Sequence, residues 1–403
     1  MSHVLQAQQV VDGVYWVGAI DWAIRNFHGY ATSRGTTYNA FLVMAEKVTL
    51  VDTVKAPFHD EMLSRIASVV DPEKIDVIIS NHSEMDHSGC LPRIVEQVKP
   101  AEIYASTAGQ KALAEHFRPS FEITAVKEGD VVDLGGKTVQ FMETKMCHWP
   151  DSMVSYLAED KLLFSQDAFG MHLASYERYA DELPAWLTEH EAGKYYANIL
   201  LPLSRFVAKT LEKIQASGLE FRIVAPDHGP MHRTPEDIAR VLGWYERWAA
   251  QKRTNKAIVV YDTMWQSTPK MASAVGDGLA AGGAKVKLMP LSGCHRSDVA
   301  TELLDAGALV VGAPTINNTM YPTLADALTY VRGLKPAGLI GGVFGSYGWS
   351  GESTRDLAAE LERMNVEIIG EPAKAKYVPS GDDLEPCYQL GLRIAEALAH
   401  RAT

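Results

Sequence analysis

The segment Asn81-His82-Ser83-Glu84-Met85-Asp86-His87 places four potential metal ligands, His82, Glu84, Asp86 and His87, within six residues. It follows at once on Ile75 to Ser80, a compact apolar run that reads as a buried strand. A loop leaving a strand end can curl several side chains around one point, as metal coordination requires. Three further candidates each follow a strand-like run. They are His148 in Cys147-His148-Trp149-Pro150-Asp151, Asp167 in Ser165-Gln166-Asp167, and His228 in Pro226-Asp227-His228-Gly229. Imidazoles and carboxylates brought from several strand ends to one edge of a β-sandwich form a two-metal site, with Asp167 suited to bridging. A lone histidine at a strand end is ordinarily a hydrogen-bonded structural residue, and an isolated acidic cluster is ordinarily a solvated loop. The density of the 82–87 segment, joined to three more strand-end candidates, points to ligation instead.

A second set of chemistry-bearing residues lies in the C-terminal third. Thr263, Met264, Trp265, Gln266, Ser267 and Thr268 fall between a strand and a helix. Hydroxyls and free backbone N–H groups ahead of a helix form an anion cradle, helped by the helix dipole. The run lacks G-x-G-x-x-G, so a dinucleotide is not its natural ligand. Two more loops, Pro314-Thr315-Ile316-Asn317-Asn318 and Ser346-Tyr347-Gly348-Trp349-Ser350-Gly351, sit where open α/β sheets bind ligands, at the carboxyl ends of strands.

The elements that must position these residues change character along the chain. The first part reads as short strands with few helices: Val10 to Ile20, Thr37 to Met44 and Lys47 to Val54 are β-rich. Val131 to Glu143, with Gly135-Gly136 at its centre, reads as a hairpin, and Met153 to Phe164 repeats the pattern. Helical patterns follow over Ala185 to Ser217 and Pro235 to Ala250, the latter opening on the capping signal Thr234-Pro235-Glu236-Asp237. After the polar stretch Gln251-Lys252-Arg253-Thr254-Asn255, strands and helices alternate regularly from Ala257 to Met364. Continuous apolar strands alternating with amphipathic helices imply a parallel sheet covered on both faces. Since one core rarely grows past about 250–300 residues, the 403 residues divide into domains 1–252 and 253–403.

Composition excludes several function classes. The 38 Lys+Arg against 50 Asp+Glu, a net charge of −12, argue against a nucleic-acid surface. Cys90, Cys147, Cys294 and Cys387 never fall in a C-x-x-C pair, which argues against a four-cysteine zinc or rubredoxin-type iron site. Disulfides are not expected at this cysteine density, so a reducing cytoplasm is the expected location. Met1 to Gln6 lacks the regions of a signal peptide, and no apolar run approaches a membrane span.

The pattern H-x-E-x-D-H, followed by His148, Asp167 and His228, resembles the metal-binding signature of the flavodiiron proteins. The resemblance spans essentially the whole chain, including Asp21-Trp22 and Phe27-His28-Gly29-Tyr30. It implies a metallo-β-lactamase-like αββα sandwich followed by a flavodoxin-like doubly wound parallel sheet. It also implies that His82, Glu84 and His148 hold one iron, that Asp86 and His228 hold the other, and that Asp167 bridges. His87 matches a position that is a ligand in some family members and turned away in others. Hydrolase relatives read H-x-H-x-D-H and usually bind zinc; Glu84 replaces an imidazole by a carboxylate, which hardens the site toward iron. The 263–268 loop resembles the flavodoxin phosphate loop, with Trp265 where a threonine is frequent, and the other two loops resemble those flanking the isoalloxazine of FMN.

The implied activity is reduction of O2 to water, of NO to N2O, or both. A diiron(II) centre and reduced FMN each hold two electrons, matching the four needed for O2. The implied electron donor is an external rubredoxin, and the implied assembly is a head-to-tail homodimer or a dimer of such dimers. The sequence leaves the choice between O2 and NO open. The rival reading is a dizinc hydrolase fused to a flavodoxin-like electron carrier, against which Glu84 speaks. Trp149 and Tyr196 read as packing residues with pocket lining as the alternative, Cys90 and Cys147 as apolar fillers, and Asp227 as a partner orienting an imidazole.

Overall fold

Alternation with a period of two builds the first part of the chain. In the strand Phe41–Val43, Phe41 and Val43 join one core while Leu42 joins another on the opposite face. Val77 and Ile79 share the core of Phe41 in the same way, and Ile78 that of Leu42. The computed structural model describes residues 5–401. Residues 1–4, on which part of the N-terminal reading falls, and residues 402–403 lie outside the description.

The chain forms two compact units. One comprises Met1–His28, Thr32–Tyr195 and Arg205–Glu246; the other comprises Gly29–Ala31, Tyr196–Ser204 and Arg247–Thr403. In the first unit a seven-stranded sheet runs Gln8–Val11, Val14–Trp16, Phe41–Val43, Val48–Val51, Ile75–Ser80, Glu102–Ser106, Thr124–Val126. Its first four strands pair antiparallel and the rest parallel. A five-stranded sheet runs Val131–Asp133, Thr138–Glu143, Met153–Leu157, Leu162–Gln166, Ile223–Pro226. Phe141, Leu157 and Phe164 from it meet Phe41, Val51 and Ile79 in the core between the sheets. Met62 and Ile66 of the helix His59–Ala67, with Leu91 and Ile94 of Leu91–Val98, cover the outer face of the larger sheet.

Two expectations need correction here. The first part holds more helix than its strand-rich pattern suggested, including Leu91–Val98 and Thr107–Phe117. Leu91, Ile94, Val95 and Val98 are the buried stripe of the former, at helical spacing within too short a run to stand out. The helical pattern over 185–217 is not one helix. It breaks after Ala185–Tyr195 into a widened turn, Tyr196–Leu200, and a tight turn, Leu201–Leu203, before Ser204–Ser217 resumes. Pro202 lies in that break, where its missing N–H and its ring exclude a regular helix.

In the second unit the parallel strands order as Lys285–Pro290, Thr254–Tyr261, Ala306–Pro314, Ile340–Tyr347, with Glu367–Ile368 and Ala373–Lys376 both pairing the last. Ala257 and Val259 pack against Met271, Val275 and Leu390, whereas Ile258 and Val260 pack against Val299, Leu328 and Leu357. Helices thus cover both faces. The last two strand pieces and the helix Gly381–Arg401 were not anticipated from the sequence. Sequence order reverses between Thr254–Tyr261 and Ala306–Pro314, which opens a crevice at their carboxyl ends. Among the described residues no helix is long and apolar enough to cross a membrane.

Candidate metal centre and flavin cleft

The strand Ile75–Ser80 delivers its chain into a turn that is tied down before any ligand is reached. Asn81 donates from its backbone N–H and its side-chain amide to the two carboxylate oxygens of Asp52, both at 2.7 Å. Ser88 Oγ donates to the carbonyls of Ser83 at 2.7 Å and Glu84 at 2.9 Å, closing a single helical turn over Met85–Ser88. His148 arrives from a tight loop in which the Thr144 N–H reaches the Ser152 carbonyl at 2.9 Å and the Met146 N–H reaches Trp149 at 2.7 Å. Asp167 directly follows the strand Leu162–Gln166. His228 follows Ile223–Pro226, and its loop turns on Gly229. Gly229 has φ +75°, and a Cβ there would stand 2.6 Å from the Met171 carbonyl, so only glycine fits.

These arms bring all seven expected ligand residues together. His82, Glu84, His148 and Asp167 form one group and Asp86, His87 and His228 another, with donor atoms in each group within 4.8 Å of one another. Asp167 faces both. Its Oδ2 lies 2.9 Å from His148 Nε2 and 3.3 Å from His82 Nε2, and its Oδ1 lies 3.2 Å from His87 Nε2 and 3.5 Å from His228 Nε2. Glu84 Oε2 lies 3.1 Å from His148 Nε2, and Asp86 Oδ2 lies 3.2 Å from His228 Nε2. His87 is turned inward, with Nε2 3.4 Å from Asp86 Oδ1.

The donor set fits a pair of hard cations. It contains four imidazoles, three carboxylates and no thiolate. His82 Nε2, His87 Nε2, both Asp86 oxygens and Asp167 Oδ1 are buried without a hydrogen-bond partner. Such atoms are rare in native proteins and call for an explanation such as an ion. The imidazoles and carboxylates stand close enough to set one another's charge. Burial raises Asp167, but the charge of His87, the hydrogen bond with His148 and the nearness of His82 hold its carboxyl well below the usual range. Burial likewise opposes ionisation of Glu84, yet His148, His28 and His82 hold it low.

The C-terminal unit holds a cleft of about 880 Å³ at its strand-order reversal. Thr263, Met264, Trp265 and Ser267 line it, with Pro314 to Asn318 and Ser346 to Ser350 from the other two loops. Gln266, Thr268 and Gly351 fall outside this lining. Thr268 is fully buried, its Oγ1 3.3 Å from Ser346 Oγ, and ties the first loop to the third. No charged side chain is among the lining residues, which gives a wall of hydroxyls, amides and exposed rings.

Comparison with known proteins decides the family. A model described as ODP family beta lactamase matches residues 36–229, and one for flavodoxin matches residues 259–391. A nitric oxide reductase of Moorella thermoacetica is 44% identical over 398 residues, 98% of this chain and 99% of its own. A solved rubredoxin oxygen:oxidoreductase from the anaerobe Desulfovibrio gigas superposes with a TM-score of 0.96 at 44% identity, covering 98% of this chain and 99% of that one. A solved flavodiiron protein from Giardia intestinalis gives a TM-score of 0.92 at 33% identity, covering 99% and 98%. The chain belongs to the flavodiiron protein family.

Several residues of this flavodiiron chain were not among the expected site residues. His28 Nε2 lies 2.8 Å from Glu84 Oε1 while its ring reaches solvent. Asn39 braces the His228 loop, donating to the carbonyls of Pro226 at 2.7 Å and Gly229 at 2.9 Å. Tyr377 and Val378 complete the flavin cleft, and Tyr377 is bound to both other walls. Its N–H donates to the Tyr347 carbonyl at 2.7 Å and its carbonyl accepts from Ser267 Oγ at 2.8 Å. Of the aromatics weighed, Trp149 packs edge-on against His82, with ring centroids 5.3 Å apart. Tyr196 groups with the other unit, its ring tilted against that of Trp248 at 5.3 Å; its neighbour Tyr195 instead stands beside His172 at 5.1 Å and His228 at 6.1 Å. Asp227 faces His87 Nδ1 at 3.4 Å rather than the adjacent His228. Cys90 and Cys147 are buried thiols, pushed up to about 11 and about 12 by burial.

Proposed function

We propose that this chain is a reductase of O2, of NO, or of both, that works with two irons and FMN and takes electrons from an external rubredoxin. Within residues 1–252, His82, Glu84 and His148 hold one iron and Asp86, His87 and His228 the other, with Asp167 between them. Within residues 253–403, the loops Thr263 to Thr268, Pro314 to Asn318 and Ser346 to Gly351 hold FMN, joined by Tyr377 and Val378. The observation that carries the reading is Asp167, whose two carboxylate oxygens face two separate buried ligand groups.

Bound there, the irons and the flavin supply the electrons for reduction of the gas. The chain's own residues hold, orient and protonate. Seven ligand side chains from four strand ends would hold the two irons. His28 stands at the solvent edge of the site, and its hydrogen bond to Glu84 raises its basicity. It can therefore hold a proton at Nε2, next to where protons are consumed. The neutral cleft and the exposed ring of Trp349 suit the flat, weakly charged isoalloxazine.

The relatives named for rubredoxin and for nitric oxide support the donor and the substrates. Exposed Trp265, Trp349, Tyr377 and Val378 rim the cleft. So much exposed apolar surface in one place supports a covered rim. In this reading a second copy covers it head to tail, alone or as a dimer of dimers, in the cytoplasm. Metal and flavin analysis with steady-state turnover of O2 and NO by rubredoxin-reduced protein tests the proposal. Two zinc ions per chain with no iron, or no turnover of either gas, would overturn it.

A further inference from the structure

Each buried imidazole that faces the metal centre through Nε2 has a second nitrogen behind it, and the groups standing there are unequal. His228 Nδ1 lies 2.6 Å from the Thr37 carbonyl, a neutral acceptor. His87 Nδ1 lies 3.4 Å from Asp227, beyond a normal hydrogen bond. His82 alone has a carboxylate at hydrogen-bond distance, with Asp151 Oδ2 at 3.1 Å from Nδ1. The same oxygen accepts from the Ser83 N–H at 2.7 Å, so it grips both the ring of His82 and the backbone that follows it.

Asp151 is itself fixed. It is 3% exposed, and its carbonyl accepts from Ser106 Oγ at 2.7 Å. Ser106 also caps the helix Thr107–Phe117 through the Gly109 N–H at 3.0 Å. The turn that carries Asp151 also carries His148, so one tight loop presents a ligand directly and braces a second ligand from behind.

We propose that Asp151 is a positioning residue for the iron held by His82, Glu84 and His148; this rests on the functional reading above. An acceptor at Nδ1 holds the proton there and leaves the Nε2 lone pair for the metal. An anionic acceptor also makes the imidazole a stronger donor, and such partners are worth about 10- to 100-fold in metal affinity. The iron of this group is therefore the one that Asp151 secures, and the iron beside His228 is not.

The test compares Asp151→Asn, Asp151→Glu and Ser106→Ala with the unaltered protein. Ferrous iron is added anaerobically to iron-depleted protein, followed by a chelator challenge. Iron per chain, the Mössbauer signals of the two irons, FMN content and circular dichroism are read. Asp151→Asn keeps the shape but loses the charge. It is expected to release iron about 10- to 100-fold more readily, from one of the two Mössbauer sites, with FMN retained. Asp151→Glu, which restores the anion, is expected to hold iron better than Asp151→Asn even if the latter folds poorly. Ser106→Ala removes the loop's anchor without touching the carboxylate and is expected to keep both irons. Iron retention in Asp151→Asn equal to the unaltered protein, or equal loss in Ser106→Ala, would overturn the role of Asp151. An unaltered protein that takes up no iron would instead overturn the functional reading.

Discussion

Asn39→Ala should loosen the metal centre from behind without removing any ligand. Asn39 is 1% exposed, and its side chain makes three hydrogen bonds. It donates to the carbonyls of Pro226 at 2.7 Å and Gly229 at 2.9 Å, and accepts from Trp16 Nε1 at 2.8 Å. Losing the two donations costs about 1 kcal/mol each, and a stranded buried indole N–H adds about 1–3 kcal/mol. The sum is about 3–5 kcal/mol. For a unit of this size each kcal/mol moves the melting temperature by about 2–4 °C, so a fall of about 6–20 °C is expected. Both lost carbonyl partners flank Asp227-His228, so the iron beside His228 should also become the more labile of the two. Differential scanning calorimetry of iron-loaded protein measures the first effect, and chelator-challenged iron content measures the second. Asn39→Asp supplies the control, since it can still accept from Trp16 but faces two carbonyls with no donor. A melting temperature lowered by less than about 3 °C in Asn39→Ala, or milder damage in Asn39→Asp than in Asn39→Ala, would refute the bracing argument.

Other expectations concern the two sites and the pH response. Glu84→His exchanges the carboxylate that lies 3.1 Å from His148 for an imidazole, and should lower iron per chain and gas turnover with FMN content unchanged. Iron content and turnover equal to those of the unaltered protein would contradict this. Trp349→Ala removes an exposed ring from the flavin cleft. A stacking loss of about 0.5–1.5 kcal/mol predicts about 2- to 12-fold weaker FMN binding, read by quenching of flavin fluorescence. His232 is fully buried, and burial holds it at about 4 against an ordinary 6.5, partly offset by the Phe169 carbonyl. The unfolded chain takes up a proton below 6.5 that the native state refuses, so stability from neutral His232 is complete above that pH and drains away toward 4. Urea unfolding of iron-depleted protein at pH 7 and pH 4 should show about 2–3 kcal/mol less acid loss in His232→Gln; parallel losses would remove His232 as the cause.

Much of this protein was legible before any coordinate. Metal chemistry admits few residue types, and His82, Glu84, Asp86, His87, His148, Asp167 and His228 are those types at the ends of apolar strands. The parallel sheet of the second unit was equally plain, because strands buried on both faces, such as Ala257 to Val260, must be continuously apolar. Short-range chemistry also spoke clearly at Thr234, whose Oγ accepts the Asp237 N–H at 3.1 Å and opens the helix Pro235–Ala249 as its capping signal implied.

Tertiary structure alone decided how those residues are held. Asn39, Asp151, Thr37 and Tyr377 are ordinary residue types, and nothing local marks them. Asn39 lies 187 residues from the carbonyl of Pro226 that it braces, and Asp151 lies 69 residues from the ring it backs. Only the pairing of strands across two sheets brings such distant positions within 3 Å or so, where hydrogen bonds act. The inward turn of His87 and the two-sided reach of Asp167 belong to the same class. Ligand identity is a property of side-chain chemistry, which a sequence displays. Ligand aim depends on backbone geometry and on distant acceptors, which exist only once the chain has folded.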